Sequence, residues 1–281
     1  RYAKEIFEKL PEVDAVVGTG SYEEIVQVAD RVLEGGGEKL SCLRSPDERA
    51  LTYQKRIVST VGYYEYLKIA EGCDHHCTYC IIPKLRGRYR SRTSEDIRRE
   101  AEDLAEQGVK ELMIIAQDIT KYGRDIPGEK DLPELLQDLC TIPGLQWIRL
   151  LYCYPEDITE KLMDVIAREP KIVPYLDMPI QHASDSVLRR MGRRDRKENL
   201  RQRIRQLRER IPGVALRTTL ITGFPGETEE EFRELCDFVK ESRFDRLGVF
   251  AYSQEEDTPA AAMENQIPQE VKEARRDTVM E

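Results

Sequence analysis

From Tyr64 onward the sequence alternates short apolar runs with amphipathic segments, and this alternation constrains the fold more than any other feature. The apolar runs are rich in branched and aromatic residues, which is typical of strands buried on both faces. Hydroxyl residues suited to cap helices lie between them. The six runs are YEYLKIA, ELMIIA, QWIRLLYC, YLDMPIQ, ALRTTLI and RLGVFAY, and the predicted helix starts are Thr93, Thr159, Ser184 and Thr228.

Six consecutive strand–helix units predict an α/β fold with parallel strands, because a parallel pair needs a crossover connection and a helix supplies it. The right-handed crossover rule allows a doubly wound sheet or an incomplete barrel, and periodicity alone does not choose between them. In both folds the chemistry lies where strands end and loops begin. We therefore look for functional residues in the loops that follow the six apolar runs.

The first forty residues have a different pattern: a helix end, a strand, a glycine turn, a helix and a glycine stop. We assign residues 1–40 to part of a separate α/β unit, residues 41–59 to a linker and residues 60–281 to the main domain. No stretch approaches the ~18 apolar residues that cross a bilayer, and the polar start RYAKEIFEKL lacks a signal-peptide core. These features predict a cytoplasmic protein, and Arg1 in first place indicates a chain that begins inside a longer protein.

The net charge of −9 conceals two basic regions. Between Arg189 and Arg210 there are eleven basic residues against three acidic ones. In PKLRGRYRSR a cation occupies every second position from Lys84 to Arg92, so an extended conformation would put all five on one face. Each region is either a solvated face or a docking surface for an anionic partner.

Three of the seven cysteines, Cys73, Cys77 and Cys80, follow the first predicted strand at the spacing CxxxCxxC. Three thiolates on one loop can converge on a metal centre. Tetrahedral zinc is one interpretation, since it accepts three cysteines and a histidine, and His75 and His76 lie in this loop. The other is an iron–sulfur cube, in which three thiolates leave one iron open to an exogenous ligand. No later CxxC or HxxxH supplies a second pair of zinc ligands, which favours the cube.

With this cysteine spacing after the first strand of a six-fold strand–helix chain, the sequence resembles the radical S-adenosylmethionine (SAM) enzymes. The resemblance implies a partial (β/α)6 barrel, here with an N-terminal α/β domain fragment. It also implies a [4Fe-4S] cluster whose open iron chelates the amino and carboxylate groups of SAM, with reductive cleavage to methionine and a 5′-deoxyadenosyl radical. The cofactors would supply the radical chemistry, while the protein orients the reactants and excludes water.

Within these enzymes, the residues from about Tyr64 to Met280 resemble the methylthiotransferases, which transfer sulfur-containing groups. They are most similar to the RimO type, which modifies an aspartate side chain of small-subunit ribosomal protein number twelve. The tRNA-modifying MiaB type is similar, but it has GQN and QSGS where this chain has AQD and QHAS. The segments that carry the resemblance are CTYCIIPKLRGRYRSR, IIAQDITKYG, RLLYCYPEDIT, YLDMPIQHASDSVLRRMGRR, RTTLITGFPGET and VFAYSQEEDTPAA.

By the same resemblance, side chains near the strand ends would form the SAM pocket. An aromatic residue between two ligand cysteines would pack near the adenine. An amide or acidic group could accept hydrogen bonds from the ammonium, an arginine could reach the carboxylate or ribose, and a glycine could allow close backbone approach. The residues so assigned are Tyr79, Gln117, Asp118, Gln181, Arg217, Gly223 and Tyr252.

Several of these residues also have a purely structural interpretation. Tyr79 fits ordinary loop packing, Asp118 fits a helix cap, and Arg217 fits a salt bridge at a strand end. Gly223 fits any tight turn. The three cysteines of the CxxxCxxC loop are the predicted cluster ligands, and no catalytic residue is assigned.

Methylthiotransferases also hold a second [4Fe-4S] cluster with three cysteines of an N-terminal domain, and this cluster supplies the sulfur. Upstream of Cys73 the sequence has Cys42 alone, and it stops before the family's nucleic-acid-binding barrel (TRAM). We therefore expect a chain truncated at both ends, with the second cluster in the full-length parent only. The expected partners are the ribosomal protein or small ribosomal subunit and an electron donor such as a flavodoxin, with weakened nucleic-acid contact and no membrane. A tRNA adenosine methylthiotransferase and a non-catalytic zinc-binding module remain as alternatives.

Overall fold

The computed structural model describes residues 2–35, 37–48, 52–53, 55–56, 58 and 62–281. The N-terminal unit contains helix α1 (Ala3–Lys9), strand β1 (Ala15–Val17), helix α2 (Ile25–Leu33) and strand β2 (Leu40–Cys42). The two strands pair in parallel, so α2 lies in the crossover between them. The second strand extends beyond residue 40 into the segment predicted to be a linker.

The main part carries six strands in one sheet, an additional short strand pair, and eight helices within the described residues. The sheet strands are β3 (Tyr64–Lys68), β6 (Glu111–Ile115), β7 (Trp147–Leu150), β8 (Ile172–Asp177), β9 (Ala215–Thr222) and β10 (Arg246–Ala251), and β4 (Ala70–Glu71) pairs antiparallel with β5 (Arg90–Ser91). The helices are α3 (Ile82–Arg86), α4 (Ser94–Glu106), α5 (Leu132–Cys140), α6 (Glu160–Arg168), α7 (Asp185–Arg190), α8 (Lys197–Arg210), α9 (Glu229–Ser242) and α10 (Gln269–Met280).

The sheet order is β3-β6-β7-β8-β9-β10, and all neighbouring strands are parallel. This order follows the chain without a reversal, whereas a doubly wound sheet reverses direction at a switch point. With right-handed crossovers, a sequential order puts the connecting helices on one face of the sheet. The topology is therefore that of the incomplete barrel, and the predicted fold class is confirmed.

All six predicted strands form, with one difference at the fourth. Strand β8 begins at Ile172, three residues before the predicted run, and it continues through Pro174. A register shift between β7 and β8 lies opposite this proline, between Ile148 and Leu150. Proline removes a ladder donor and is tolerated at such irregularities, so the bulge explains how the strand passes through it.

The predicted helix starts coincide with the observed ones, and at most of them a side chain caps the helix. The side chain of Thr93 accepts a hydrogen bond from the Asp96 amide at the start of α4, and Thr159 caps α6 in the same way. Thr228 and Glu231 form a reciprocal capping box at α9. Ser184 precedes α7 without a side-chain cap bond.

Alternation along the strands separates a helix-covered face from an inner face. In β9 the residues at even-numbered positions are buried against the helices, while those at odd-numbered positions are half-exposed. The same alternation continues across the sheet, because the registers pair residues of the same face, although the inner-face residues have even numbers in some strands. We call the second set the inner face, and the members used below are Tyr66, Lys68, Trp147, Arg149, Tyr175, Asp177, Arg217, Thr219, Arg246, Gly248 and Phe250.

The prediction that the cations from Lys84 to Arg92 share one face is wrong. Helix α3 occupies the first half of this segment, and strand β5 begins at Arg90. The Arg90 guanidinium pairs with Asp47 at 2.9 Å, whereas Arg92 is buried and pairs with Asp96 at 2.7 Å. These cations hold the fold together rather than form a common docking stripe.

In the basic region from Arg189 to Arg210, five of the eleven cations form ion pairs with described residues of the chain. Arg193 is buried, with 1% of its side chain exposed, so it is not available to a docking partner. The ion pairs are Arg190 with Glu231, Arg193 with Asp195, Lys197 with Glu234, Arg201 with Glu241, and Arg210 with Asp164. This arrangement favours a structural interpretation of the region. Among the described residues, no helix has the length and apolar character needed to cross a membrane.

Candidate active site

A pocket of about 450 Å³ opens at the carboxyl ends of the parallel strands. The ends of β3, β6, β7, β8 and β9 contribute to its wall, and so does the loop that carries Cys73, Cys77 and Cys80. Parallel α/β folds place their sites at this edge of the sheet. The loop and the strand ends therefore meet where the sequence predicted the chemistry to lie.

The cysteine loop is held by backbone contacts on both sides. Gly72, which precedes Cys73, has φ +81°, and a Cβ there would lie 1.9 Å from the Arg88 carbonyl oxygen. Glycine is required at this close approach. The Cys73 amide donates to the Gly87 carbonyl at 3.1 Å, and the Thr78 amide donates to Met191 at 3.0 Å.

Each cysteine sulfur has a hydrogen-bonding neighbour. The pairs are the His75 amide with Cys73 Sγ at 3.4 Å, the Ile82 amide with Cys80 Sγ at 3.4 Å, and the Tyr154 hydroxyl with Cys77 Sγ at 2.9 Å. Burial raises the pKa of Tyr154 far above its ordinary value, so its hydroxyl keeps a proton to donate. Donors directed at cysteine sulfur stabilise the thiolates that hold iron–sulfur clusters and tune their potentials.

The donor set around the three cysteines favours an iron–sulfur cube over a zinc ion. A Cys3His zinc site would need a histidine beside the three sulfurs, and His75 Nε2 is engaged instead, 2.7 Å from Asp118 Oδ2. An iron–sulfur cube takes the three thiolates alone and leaves one iron open to an exogenous ligand. The donor set therefore fits the iron–sulfur group.

Arg193 forms part of the pocket wall and was not predicted as a site residue. The Tyr154 ring stacks on the His75 ring at a centroid distance of 3.7 Å, and the Arg193 guanidinium carbon lies 4.0 Å from the same Tyr154 centroid. Asp195 pairs with Arg193 Nη2 at 2.8 Å. The charge count in MGRRDR assigned Arg193 to a surface, because sequence spacing alone does not give the direction of a side chain that follows α7.

Two buried polar atoms of the pocket lining have no hydrogen-bond partner among the described residues, Arg193 Nε and Gln117 Oε1. The Gln117 amide nitrogen donates to Glu71 Oε1 at 3.2 Å, which leaves its oxygen as an acceptor. Buried polar groups normally have a partner, so unpaired ones in a pocket wall are candidate contacts for a ligand or water. A free guanidinium donor and a free amide acceptor match the carboxylate and ammonium of an amino acid, so the pocket fits the methionine part of SAM.

The other predicted pocket residues divide into two groups. Tyr79 and Gln181 line the pocket together with Gln117. Asp118 does not line it, because its fully buried carboxylate caps the 3-10 turn that begins at Ile119.

Gly223 and Tyr252 lie behind the pocket wall. Gly223 has φ +71°, and a Cβ there would lie 2.3 Å from Cγ of Lys272 in α10. Tyr252 is buried beside Phe224, and Tyr79 packs against the cluster that contains them. Arg217 pairs with the pocket residue Asp177 at 2.6 Å.

Two pocket residues have left-handed backbones without being glycine. Tyr152 has φ 61° and Gln181 has φ 69°, and they follow β7 and β8. Such conformations cost on the order of 1–3 kcal/mol and cluster at functional sites. Tyr152, which is 49% exposed, was not predicted, since no sequence pattern indicates a left-handed tyrosine.

Comparison with known proteins adds two kinds of similarity in sequence. Residues 67–239 match the family model of the Radical SAM superfamily. Proteins named ribosomal protein uS12 methylthiotransferase RimO match the whole chain: the one from Lachnoclostridium phytofermentans is 56% identical over 281 residues, and that from Clostridium tetani is 52% identical over 280. The chain spans 63% of the length of each of these relatives.

Solved structures show the same fold at low sequence identity. The cobalamin-dependent SAM radical enzyme OxsB has a TM-score of 0.63 at 13% identity, covering 99% of this chain and 41% of OxsB. Coproporphyrinogen III oxidase (HemN) from Escherichia coli has a TM-score of 0.55 at 21% identity, covering 78% of this chain and 51% of HemN. The match to the family model spans most of the barrel and the cysteine loop, and it confirms the predicted cofactors, a [4Fe-4S] cluster and SAM. The chain therefore belongs to the radical SAM superfamily.

Proposed function

We propose that this chain is the catalytic core of a methylthiotransferase that modifies an aspartate side chain of small-subunit ribosomal protein number twelve. The observation that carries the proposal is the three-cysteine pocket with its unpaired guanidinium and amide atoms. Relatives that are 56% and 52% identical, and whose names give this activity, support the choice of substrate.

Cys73, Cys77 and Cys80 would hold the cluster through three thiolates. The cluster and SAM, when bound, supply the one-electron chemistry that opens an unactivated C–H bond. The protein holds this reaction in a pocket whose wall is largely apolar or aromatic, including Ile115, Tyr79 and Tyr154, and such a wall limits access of water.

Gln117 and Arg193 would orient the two ends of the SAM amino acid. Gln117 Oε1 accepts from the ammonium, and the Arg193 guanidinium donates to the carboxylate. Arg193 is fixed by its pair with Asp195 and by contact with the Tyr154 ring, so little side-chain entropy is lost on binding.

The N-terminal unit and the predicted linker each contact the segment that follows the cluster cysteines. The Thr19 hydroxyl donates to the Leu85 carbonyl at 2.7 Å, and Asp47 Oδ1 accepts from the Arg88 amide at 2.7 Å. We propose that residues 1–40 belong to the domain that brings the second cluster, joined by residues 41–59 to the core at 60–281. Within this proposal the protein acts in the cytoplasm with a reductant such as a flavodoxin.

The first experiment tests the cluster in this chain. After anaerobic reconstitution with iron and sulfide, we expect four irons per chain and a reduced paramagnetic spectrum that changes when SAM is added. Cys77→Ala should lose the iron, whereas Cys140→Ala, a half-buried cysteine at the end of α5, should keep it. One zinc per chain, or a spectrum indifferent to SAM, would contradict the proposal.

The second experiment tests the substrate. A chimera places this chain in the matching segment of the Lachnoclostridium phytofermentans relative, and mass spectrometry follows the ribosomal protein and tRNA in the same reaction. We expect a methylthio group on one aspartate of the ribosomal protein. Modification of tRNA instead would assign the chain to the adenosine-modifying type.

A further inference from the structure

Arg217 lies on the inner face beside the cofactor pocket, and the pocket contacts described above give its guanidinium no role. It stands opposite Asp177 in the pairing of β8 with β9, and its Nη1 lies 2.6 Å from Asp177 Oδ1. The same nitrogen lies 3.4 Å from Thr219 Oγ1. Asp177 and Thr219 both line the pocket, so the guanidinium stands at its border.

One edge of this guanidinium is open. Its Nε and Nη2 atoms have no hydrogen-bond partner among the described residues, and 36% of the side chain is exposed. On the neighbouring strand β10, a Cβ at Gly248 would lie 3.7 Å from Nη2. Because Gly248 has no side chain, a planar ligand can approach this edge from the inner face.

The open edge matches a carboxylate. The parallel N–H groups of a guanidinium bind a carboxylate through two hydrogen bonds. An amide or a nucleobase does not combine this geometry with a negative charge. Arg246 lies opposite Arg217 in the pairing of β10 with β9. The two arginines carry two positive charges, and Asp177 carries one negative charge. The local field therefore still attracts an anion.

Holding a carboxylate here also positions a carbon. In an aspartate side chain the only carbon that carries hydrogen is Cβ, which is bonded directly to the carboxylate carbon. A residue that fixes the carboxylate therefore fixes the reacting carbon one bond away, and such positioning lowers the barrier of the chemical step.

We propose that Arg217 binds the carboxylate of the aspartate that is modified, and that Asp177 fixes the orientation of the guanidinium. The inference rests on the proposed function, because it takes the aspartate substrate from there. It differs from the prediction that Arg217 contacts SAM, since Arg193 already offers a buried donor to that ligand.

The other cations near the pocket are committed elsewhere. Lys68 pairs with Glu71 at 2.7 Å. Arg149 pairs with Glu111 at 2.6 Å, packs over the Tyr175 ring and is not part of the pocket lining. Arg149 is thus a matched control, an inner-face arginine with its own carboxylate that does not border the site.

The test is equilibrium binding of the labelled ribosomal protein to the reconstituted chimera described under Proposed function, with SAM, measured by fluorescence anisotropy without turnover. Two forms of the ribosomal protein are used, one with the target aspartate and one with asparagine there. We expect Arg217→Gln to weaken binding of the aspartate form by about tenfold or more and to leave the asparagine form unchanged. Arg149→Gln should affect both forms equally, and the double-mutant cycle isolates the coupling of Arg217 to the aspartate.

Gly248→Val is a second variant, which keeps the Arg217 charge and covers the open edge of its guanidinium. It should selectively weaken binding of the aspartate form. If Arg217→Gln fails to fold or to bind iron, Gly248→Val alone decides the matter. Equal losses for both forms, or a loss of SAM affinity instead, would overturn the inference while the proposed function stands. If the chimera without substitutions binds neither form, the proposed function falls and this inference falls with it.

Discussion

Two buried arginines, Arg92 and Arg193, show how differently a charge can be used in this molecule. Every guanidinium nitrogen of Arg92 has an acceptor, on Asp96, Glu100 or the Lys68 carbonyl. Arg193 is paired with Asp195, yet its Nε is buried without a partner in the described structure. A fully satisfied cation stabilises the fold, whereas an incompletely satisfied one beside a pocket is available to a ligand.

The largest effect that we expect is a loss of stability at Arg92, which separates this structural arginine from Arg193. Arg92→Met leaves Asp96 and Glu100 buried without their common cation, and this should lower the free energy of unfolding by about 3 kcal/mol. Chemical denaturation measures it. Arg233→Met, which removes an exposed pair with Glu229 on α9, is the control and should cost under about 1 kcal/mol. A loss at Arg92 no greater than at Arg233 would remove the distinction.

The second prediction concerns ligand binding. Arg193→Lys keeps the charge beside Asp195 but loses the planar fork, so SAM affinity of the reconstituted protein should fall about tenfold while the unfolding transition moves little. Equilibrium dialysis with labelled SAM measures the affinity. Arg190→Lys, at an arginine that pairs with Glu231 away from the pocket, should leave SAM affinity unchanged. Unaltered SAM binding in Arg193→Lys would show that the unpaired Nε does not serve this ligand.

The smallest effect is a pH dependence at the structural site. Burial alone would raise the pKa of Asp96, but hydrogen bonds from the Tyr53 amide and Arg92 outweigh it and hold the pKa below its ordinary value. The resulting stability is present above the unfolded pKa of about 3.9 and is lost as the pH falls through the lower folded value. Asp96→Asn should therefore flatten the acid limb of a plot of unfolding free energy against pH. An unchanged slope would show that Asp96 does not contribute to acid sensitivity.

The strands and the cluster ligands could be predicted because each depends on local pattern. The apolar run around Leu220 is recognisable as a strand without a partner, although it predicted burial on both faces and β9 is buried at alternate positions only. The loop of three cysteines is recognisable because its ligands lie within eight residues. Neither signal depends on how the rest of the chain folds.

The pocket wall could not be predicted in this way, because its side chains depend on distant segments. Arg193 was counted as surface charge, and its direction follows from the packing of α7 against the cysteine loop, where Thr78 bonds to the Arg190 carbonyl. Asp118 follows a predicted strand, yet its carboxylate turns toward its own backbone and His75. A common face for the cations from Lys84 to Arg92 required an extended chain, and α3 ends only at Arg86, within this segment.

The open sheet affects how this protein can evolve. β3 and β10 are the two edges of the sheet and do not pair with each other. A closed barrel fills its interior with interlocking side chains, so an interior substitution there disturbs a packed core. Here Tyr66, Trp147 and Phe250 are 46%, 53% and 60% exposed on the inner face. The exposed side chains on that face can be exchanged at little cost to folding, so substrate choice and fold stability can evolve as separate traits.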